Sequence, residues 1–181
     1  MKLIAGLGNP GAEYENTRHN AGFCAVNFLL KKYGIGDKGR AYGAVFVTGM
    51  VNKVEVAFIK PMKYMNLSGG PIRDAMDSLE IAPKDLLVIH DDIDIELGRA
   101  LYKVSGGHAG HNGLRSIMGE IKSRDFHRIR LGVNRPDEGV SVTDHVLDRF
   151  SDEEREVFLK SLSKCAEFVE NRFLAEELIN E

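Results

Sequence analysis

Cysteine is scarce in this chain: two in 181 residues, Cys24 and Cys165, far apart and each in apolar surroundings. A disulfide framework or a thiolate metal site needs cysteines in paired or clustered spacing, so neither is expected. Both thiols read as reduced core residues, and that usage points to a cytoplasmic compartment. Long apolar runs are missing too. No stretch approaches the ~20 residues that cross a bilayer, so no membrane partner is expected. The opening MKLIAGLGNPG breaks at glycine and proline before it builds the apolar heart of a signal peptide.

Nor is one sign of charge in large excess. The net charge is −3, with 43% hydrophobic and 28% charged residues, the composition of an ordinary globular protein. The distribution is less even. Residues 151–181 hold nine acids and four bases, leaving 18 of the 27 acids and 20 of the 24 bases in the first 150. A mildly basic body with an acidic tail can still bind a polyanion through a local patch, because attraction follows the local field.

Several catalytic signatures are absent. Gly6 to Gly11 has the spacing of a dinucleotide fingerprint, but Asn9-Pro10-Gly11 interrupts it where a helix should begin. No acid follows a second strand to take a ribose hydroxyl. GIGDKGRA lacks the Lys-Ser/Thr pair of a phosphate loop, and no GxSxG elbow occurs. His90, Asp91, Asp92 and Asp94 crowd one segment and His108 and His111 another, but HExxH is missing. Neither a cofactor nor a metal is expected.

What is present is an alternation of strand and helix patterns. KLIAGL and DLLVIHDD read as buried strands, AVFVTGMVNKVEVAFIKP as two strands joined near Met50 to Asn52, and GRALYKV and FHRIRLGV as two more. Helices are expected in NAGFCAVNFLLKKYG, in SGGPIRDAMDSLEI and in HNGLRSIMGEI, the last opened by His111–Asn112. After Ser151, Ser-Asp-Glu-Glu signals a helix start, and Val157, Phe158, Leu162, Cys165, Phe168, Val169 and Phe173 line its apolar face. Without repeats or linkers, the whole of 1–181 reads as a single α/β domain with a mixed, largely parallel twisted sheet flanked by helices. Ligands of such sheets bind beyond the carboxyl ends of the strands, and Asn9, Met65–Asn66 and Asp91 all fall there.

NTRHNAGF, residues 16 to 23, sets an imidazole, His19, just before a helix. A histidine with a carboxylate partner is the minimal general-base pair, and Asp91 is the candidate partner. Asn9, Asn16, Asn20, Asn66 and Asn112 supply amides that donate and accept without adding charge, which suits peptide and ribose groups. Singly, each reads as a turn or cap residue. With no serine or cysteine in a nucleophile setting, the nucleophile is expected to be water.

GLGNPGAEYENTRHNAGF, PMKYMNLSGG, VIHDDIDIELG, GGHAGHNGLRSI and FHRIRLGV, in this order and spacing, resemble the bacterial peptidyl-tRNA hydrolase family from Met1 to about Val146. The resemblance implies a monomeric, metal-free, cofactor-free enzyme. It would cleave the ester between a peptide and the terminal ribose of tRNA, with the acceptor stem and 3′ end of peptidyl-tRNA as partner. It implies that His19 is the base and Asp91 its support. Asn9, Tyr14, Tyr64, Met65, Asn66, His111 and Asn112 would line the peptide and 3′-end pocket, and Lys103 and Arg130 would clamp the 5′-phosphate. His111 reads equally as a helix cap and Met65 as core. Asp92 and Asp94 read as structural. The chain departs from the family at Ser105 and Ala109, where glycine is expected in a loop, and in its acidic tail. A metal-dependent peptidase or nuclease using Asp91, Asp92 and the histidines, and a non-catalytic tRNA-binding module, remain the rival readings.

Overall fold

The apolar runs do form a central sheet. In the computed structural model, which describes residues 1–36 and 39–175, seven strands are joined by five α-helices and short 3-10 turns. The strands are β1 (Lys2–Gly6), β2 (Gly39–Ala41), β3 (Ala44–Val51), β4 (Val54–Pro61), β5 (Leu86–Asp92), β6 (Ala100–Lys103) and β7 (His127–Gly132). The helices are α1 (Ala21–Lys32), α2 (Gly69–Ser78), α3 (Asn112–Ile121), α4 (Val142–Leu147) and α5 (Asp152–Phe168). Asp37 and Lys38 of GIGDKGRA, and Glu176, Glu177 and Glu181 of the acidic tail, lie outside the described residues.

The strand order is β2-β3-β4-β1-β5-β7-β6. β1 lies parallel to β4 and β5, and β5 parallel to β7, while β2, β3 and β6 run antiparallel at the two edges. The mixed, largely parallel sheet expected from the alternation is therefore the one observed. The β3–β4 turn is made by Asn52 and Lys53, with φ of 50° and 68°. Two consecutive left-handed residues give the tight turn whose twist matches the flanking strands.

Helices cover both faces, which is why β1 and β5 read as unbroken apolar runs. Ile4, Leu87, Ile89, Ile129 and Leu131 pack under α1 and α5, and Leu3, Ala5, Leu86 and Val88 under the α2–α3 side. Each such side chain, when fully buried, contributes roughly 1.5–3 kcal/mol by leaving water. Ser151 caps α5 through a reciprocal pair with Glu154, as its sequence signature requires. Beyond Phe168 the helix widens into a π turn over Val169–Phe173, and Val157, expected on the apolar face, is 37% exposed. Two elements lack a sequence signal: β2, three residues long, and α4, six residues long. Cys165 is fully buried, whereas Cys24 is only partly so.

The crossovers from β1 and from β4 leave on opposite faces, through α1 and α2. Between them opens the crevice at which the carboxyl ends of β1, β4 and β5 meet.

Candidate active site

His19 sits on a 3-10 turn, Arg18–Asn20, that leads straight into α1. Gly22 lets this turn approach the sheet: a Cβ there would fall 2.3 Å from the backbone oxygen of Ile89 and from the nitrogen of Leu7. No side chain fits in that space, so α1 begins against the ends of β1 and β5. Its neighbour His19 thereby reaches Asp91 at the end of β5.

The contact is a bifurcated one. His19 Nδ1 lies 2.9 and 3.0 Å from the two carboxylate oxygens of Asp91, which is only 3% exposed. A second imidazole holds the same carboxylate: His111 Nε2 is 3.0 Å from Asp91 Oδ1. His111 is also the N-cap of α3, its Nδ1 accepting from the backbone N–H groups of Gly113 and Leu114. Because Nδ1 accepts, the ring proton is on Nε2, and His111 donates to Asp91 as a neutral imidazole. Asp91 in turn accepts Nδ1–H from His19, which leaves His19 Nε2 facing the cleft without a partner among the described residues.

The electrostatics follow from this packing. Burial works against charge on His19, but the Asp91 charge and hydrogen bond outweigh it and raise its pKa above 6.5. Burial also opposes ionised Asp91, yet the attraction and hydrogen bonds of His19 and His111 hold it well below 3.8. His90, one residue earlier, is fully enclosed and donates Nδ1–H to the Asp91 carbonyl at 2.7 Å. Burial, with His111 beside it, lowers its pKa to about 3, so it is neutral.

The cleft above these residues has a volume of about 740 Å³. Asn9, Tyr64, Met65, Asn66, Asn112, Lys103 and Arg130 all line it with His19, Asp91 and His111. Of the residues singled out in the sequence for the site, Tyr14, Asn16 and Asn20 do not line it. Asn16 and Asn20 face a second groove. Tyr14 stands edge-on to Tyr64, ring centres 6.3 Å apart, at the rim. Asn9 is anchored twice: its backbone N–H and C=O bond the side chain of Asn20, and its Oδ1 accepts from Met65 N–H at 2.7 Å. The amide orientation is thus fixed by a donor, and Nδ2 is the atom left to the cleft. Asn112 is similar, its oxygen taken by Arg115 at 3.1 Å.

Lys103 and Arg130 share one sheet face, since β6 pairs with β7 so that Leu101 opposes Arg130 and Lys103 opposes Arg128. Arg130 is not a free cation: its Nε lies 2.8 Å from Asp92 Oδ2. Arg128, between them, has no carboxylate partner among the described residues. It is 2% exposed, hydrogen-bonds the carbonyls of Gly106 and Gly107, and is pushed down to about 10 by burial and by Arg130. Arg128 and the α4 wall (Val142, Thr143, Val146, Leu147) are site components that sequence reasoning missed, and His90, noted there only for a metal, also lines the cleft. The alternation in HRIR, two arginines two apart on one strand, was the available signal for Arg128. Arg18, also unforeseen, ties the His19 turn to the far loop: it grips both oxygens of Glu154 at 3.0 and 2.8 Å and the carbonyls of His145 and Arg149.

The loop Val104 to Gly110 contains both departures from the resembled pattern. Ala109 has a φ of 48°, a left-handed conformation that glycine adopts without strain. Ser105 is not among the left-handed residues of this loop.

His19, Asp91 and His111 also offer donor atoms within 4.8 Å of one another, a spacing a metal ion can use. The larger acidic set foreseen for a metal is not gathered. Asp92 is turned to Arg130, Asp94 to Arg135, and His108 to the backbone of Gly110. Coordination by His111 through Nε2 would require that nitrogen to lose its proton while Nδ1 still accepts the helix cap, an imidazolate state; keeping it neutral would break the cap.

A buried carboxylate holding an imidazole at the carboxyl ends of an α/β sheet, with two oriented amides beside it, defines a protein equipped for general-base chemistry on a polar substrate. The chain belongs to the peptidyl-tRNA hydrolase family, a family of hydrolases, whose model matches residues 3–181. It is 44% identical over 170 residues to the peptidyl-tRNA hydrolase of Bacillus cereus strain Q1, covering 94% of this chain and 91% of that one. To that of Mycoplasma capricolum it is 41% identical over 169 residues, covering 93% and 91%. The crystal structure of peptidyl-tRNA hydrolase from Acinetobacter baumannii superposes with a TM-score of 0.91 at 37% identity, covering 97% of this chain and 90% of that one. No helix among the described residues is long and apolar enough to cross a membrane.

Proposed function

We propose that the protein hydrolyses the ester between a peptide, or an N-blocked aminoacyl group, and the 3′-terminal ribose of tRNA, with water as nucleophile. The observation that carries the mechanism is the pairing of His19 Nδ1 with buried, ionised Asp91, which leaves Nε2 as a base open to the cleft. His19 Nε2 takes a proton from water as the oxygen attacks the ester carbonyl, and Asp91 stabilises the imidazolium that forms. The developing oxyanion meets an amide N–H of Asn9 or Asn112, both oriented in advance by bonds to their oxygens. The imidazolium then returns its proton to the departing ribose oxygen.

The cleft is polarised along its length. Lys103, Arg128 and Arg130 stand at one end and suit phosphate; Asn9, Met65 and Tyr64 stand at the other and suit the acyl group. The acidic helix α5 packs on the opposite side of the sheet, against Ala100, Ile129 and Leu131, so the sheet separates its charge from the basic face. Lys103 and Arg130 are accordingly the proposed 5′-phosphate clamp, with Asp92 setting the angle of Arg130. A monomer working in the cytoplasm fits this reading.

A divalent-cation hydrolase is the alternative that the same three side chains permit. Incubation of the purified protein with N-blocked aminoacyl-tRNA, with and without a chelator, separates the readings. Release of free tRNA at equal rates in both supports the His19 base; loss of release with chelator assigns the chemistry to a metal. Tight tRNA binding with no release would make the protein a binding module.

A further inference from the structure

A second groove, about 610 Å³, shares Asn9 with the catalytic cleft. Its walls come from the Asn9–Thr17 loop, the first half of α1, β3, β4 and the start of α5. The floor is apolar, with Phe23, Phe28, Phe150, Phe158 and Leu162, and Leu159 at the rim is 43% exposed. Asparagine amides stand among these side chains. Asn27 accepts from Lys60 at 2.7 Å and Asn16 accepts from Arg155.

We infer that this groove receives the peptide residues that precede the esterified one. The inference rests on the proposed hydrolysis and on the direction of the cleft. With phosphate at the Lys103–Arg130 end, the acyl chain is directed toward Asn9, which lines both the cleft and the groove. An apolar trough with amide groups complements a peptide, which presents alternating side chains and backbone N–H and C=O groups. With two cations, Lys60 and Arg155, against one acid, Glu15, the lining lacks the basic track that holds a polynucleotide backbone. Asn20, which fixes the backbone of Asn9 and also lines the groove, makes Asn9 the shared wall of both sites.

The test compares tRNA carrying one N-blocked amino acid with tRNA carrying a blocked apolar pentapeptide, in the wild type and in Leu159→Asp and Asn27→Trp. Both substitutions fall on exposed helix positions. The readout is the ratio of kcat/KM for the long over the short substrate within each protein, which a general loss of folded enzyme leaves unchanged. Covering even one apolar side chain raises the wild-type ratio to about ten or more. In the variants it falls below about three. A wild-type ratio near one, or a ratio retained by both variants, overturns the inference. So does a change in the affinity of either variant for uncharged tRNA, which would give the groove to nucleic acid. Binding of the free blocked pentapeptide, strong in the wild type and weakened in Leu159→Asp, reads the groove without any catalysis. A wild type that binds this peptide but cleaves neither ester would sink the hydrolase reading and leave the groove standing.

Discussion

Replacing Asp91 with asparagine changes one atom, and the site geometry dictates how the new amide must sit. His111 can only donate through Nε2, because its Nδ1 is committed to the cap of α3. The amide oxygen must therefore occupy the Oδ1 position, where it receives that proton. This places the NH2 group at the Oδ2 position, 3.0 Å from His19 Nδ1. An N–H pointing at Nδ1 competes there with the amide oxygen, which at the Oδ1 position is 2.9 Å away, and so populates the tautomer with the proton on Nε2, which is no base. The expected cost is that of a base partly held in the wrong tautomer, about one to three orders of magnitude in kcat and less than the loss in His19→Ala. The pH dependence moves as well. Activity requires neutral His19, so the rate falls as pH drops through its raised pKa. Without the Asp91 charge, burial acts unopposed and favours the neutral ring, so the acidic limb shifts to lower pH. Steady-state hydrolysis of N-blocked aminoacyl-tRNA across pH 5 to 9 measures both effects. The double variant Asp91→Asn/His111→Ala supplies a control, since the amide is then free to flip and should recover part of the lost rate. Retention of more than about a tenth of wild-type kcat by Asp91→Asn would falsify this account, as would an acidic limb that moves upward.

His19→Ala should lower kcat by about two to four orders of magnitude with little change in the affinity for uncharged tRNA; a third of wild-type turnover remaining would remove His19 from the chemistry. Lys103→Ala and Arg130→Ala should each make the log–log salt dependence of tRNA binding shallower by up to about one unit, while a minimal 3′-fragment substrate is hydrolysed nearly as before. Equal losses on full-length and minimal substrates would place the pair in the catalytic pocket instead. Arg18→Ala should cost about 2 kcal/mol, below the ~3–5 kcal/mol of a fully buried pair, because Glu154 is a third exposed and regains water. Thermal unfolding should then fall by roughly 4–8 °C, and an unchanged midpoint would show that the Glu154 tie contributes nothing. His90, neutral in the fold with a pKa near 3, withholds a proton that the unfolded chain binds from about pH 6.5 downward. Its share of stability is complete above that pH and is lost as pH falls toward 3. Urea midpoints of wild type and His90→Phe at several pH values test this, and the difference between the two is the readout because His19 titrates in the opposite sense. Parallel curves would exclude His90 as the source.

Local pattern carried much of the fold. The runs KLIAGL and LLVI had to be strands buried on both faces, and Ser151 with Glu154 set the start of α5, because strand alternation and caps are properties of neighbouring residues. The family motifs named His19, Asp91, Asn9, Asn66 and Asn112, and the cleft gathers them. β2 and α4 escaped because elements of three and six residues hold too little periodicity to be read, and α4 is held beside the His19 turn by the bonds of Arg18 to the carbonyls of His145 and Arg149. Long-range contact alone decided the chemistry of each side chain. His111 could be read as a cap or as a site residue; in three dimensions its two nitrogens serve both, capping α3 and holding Asp91. Arg130 carried a formal charge in the sequence, and the fold gave it Asp92 as a partner. The sequence also held no trace of the second groove, whose walls are brought together from residues between Asn9 and Leu162. A hydrogen bond or a cavity between distant segments depends on where the sheet order and crossovers place them, and no local rule encodes that distance.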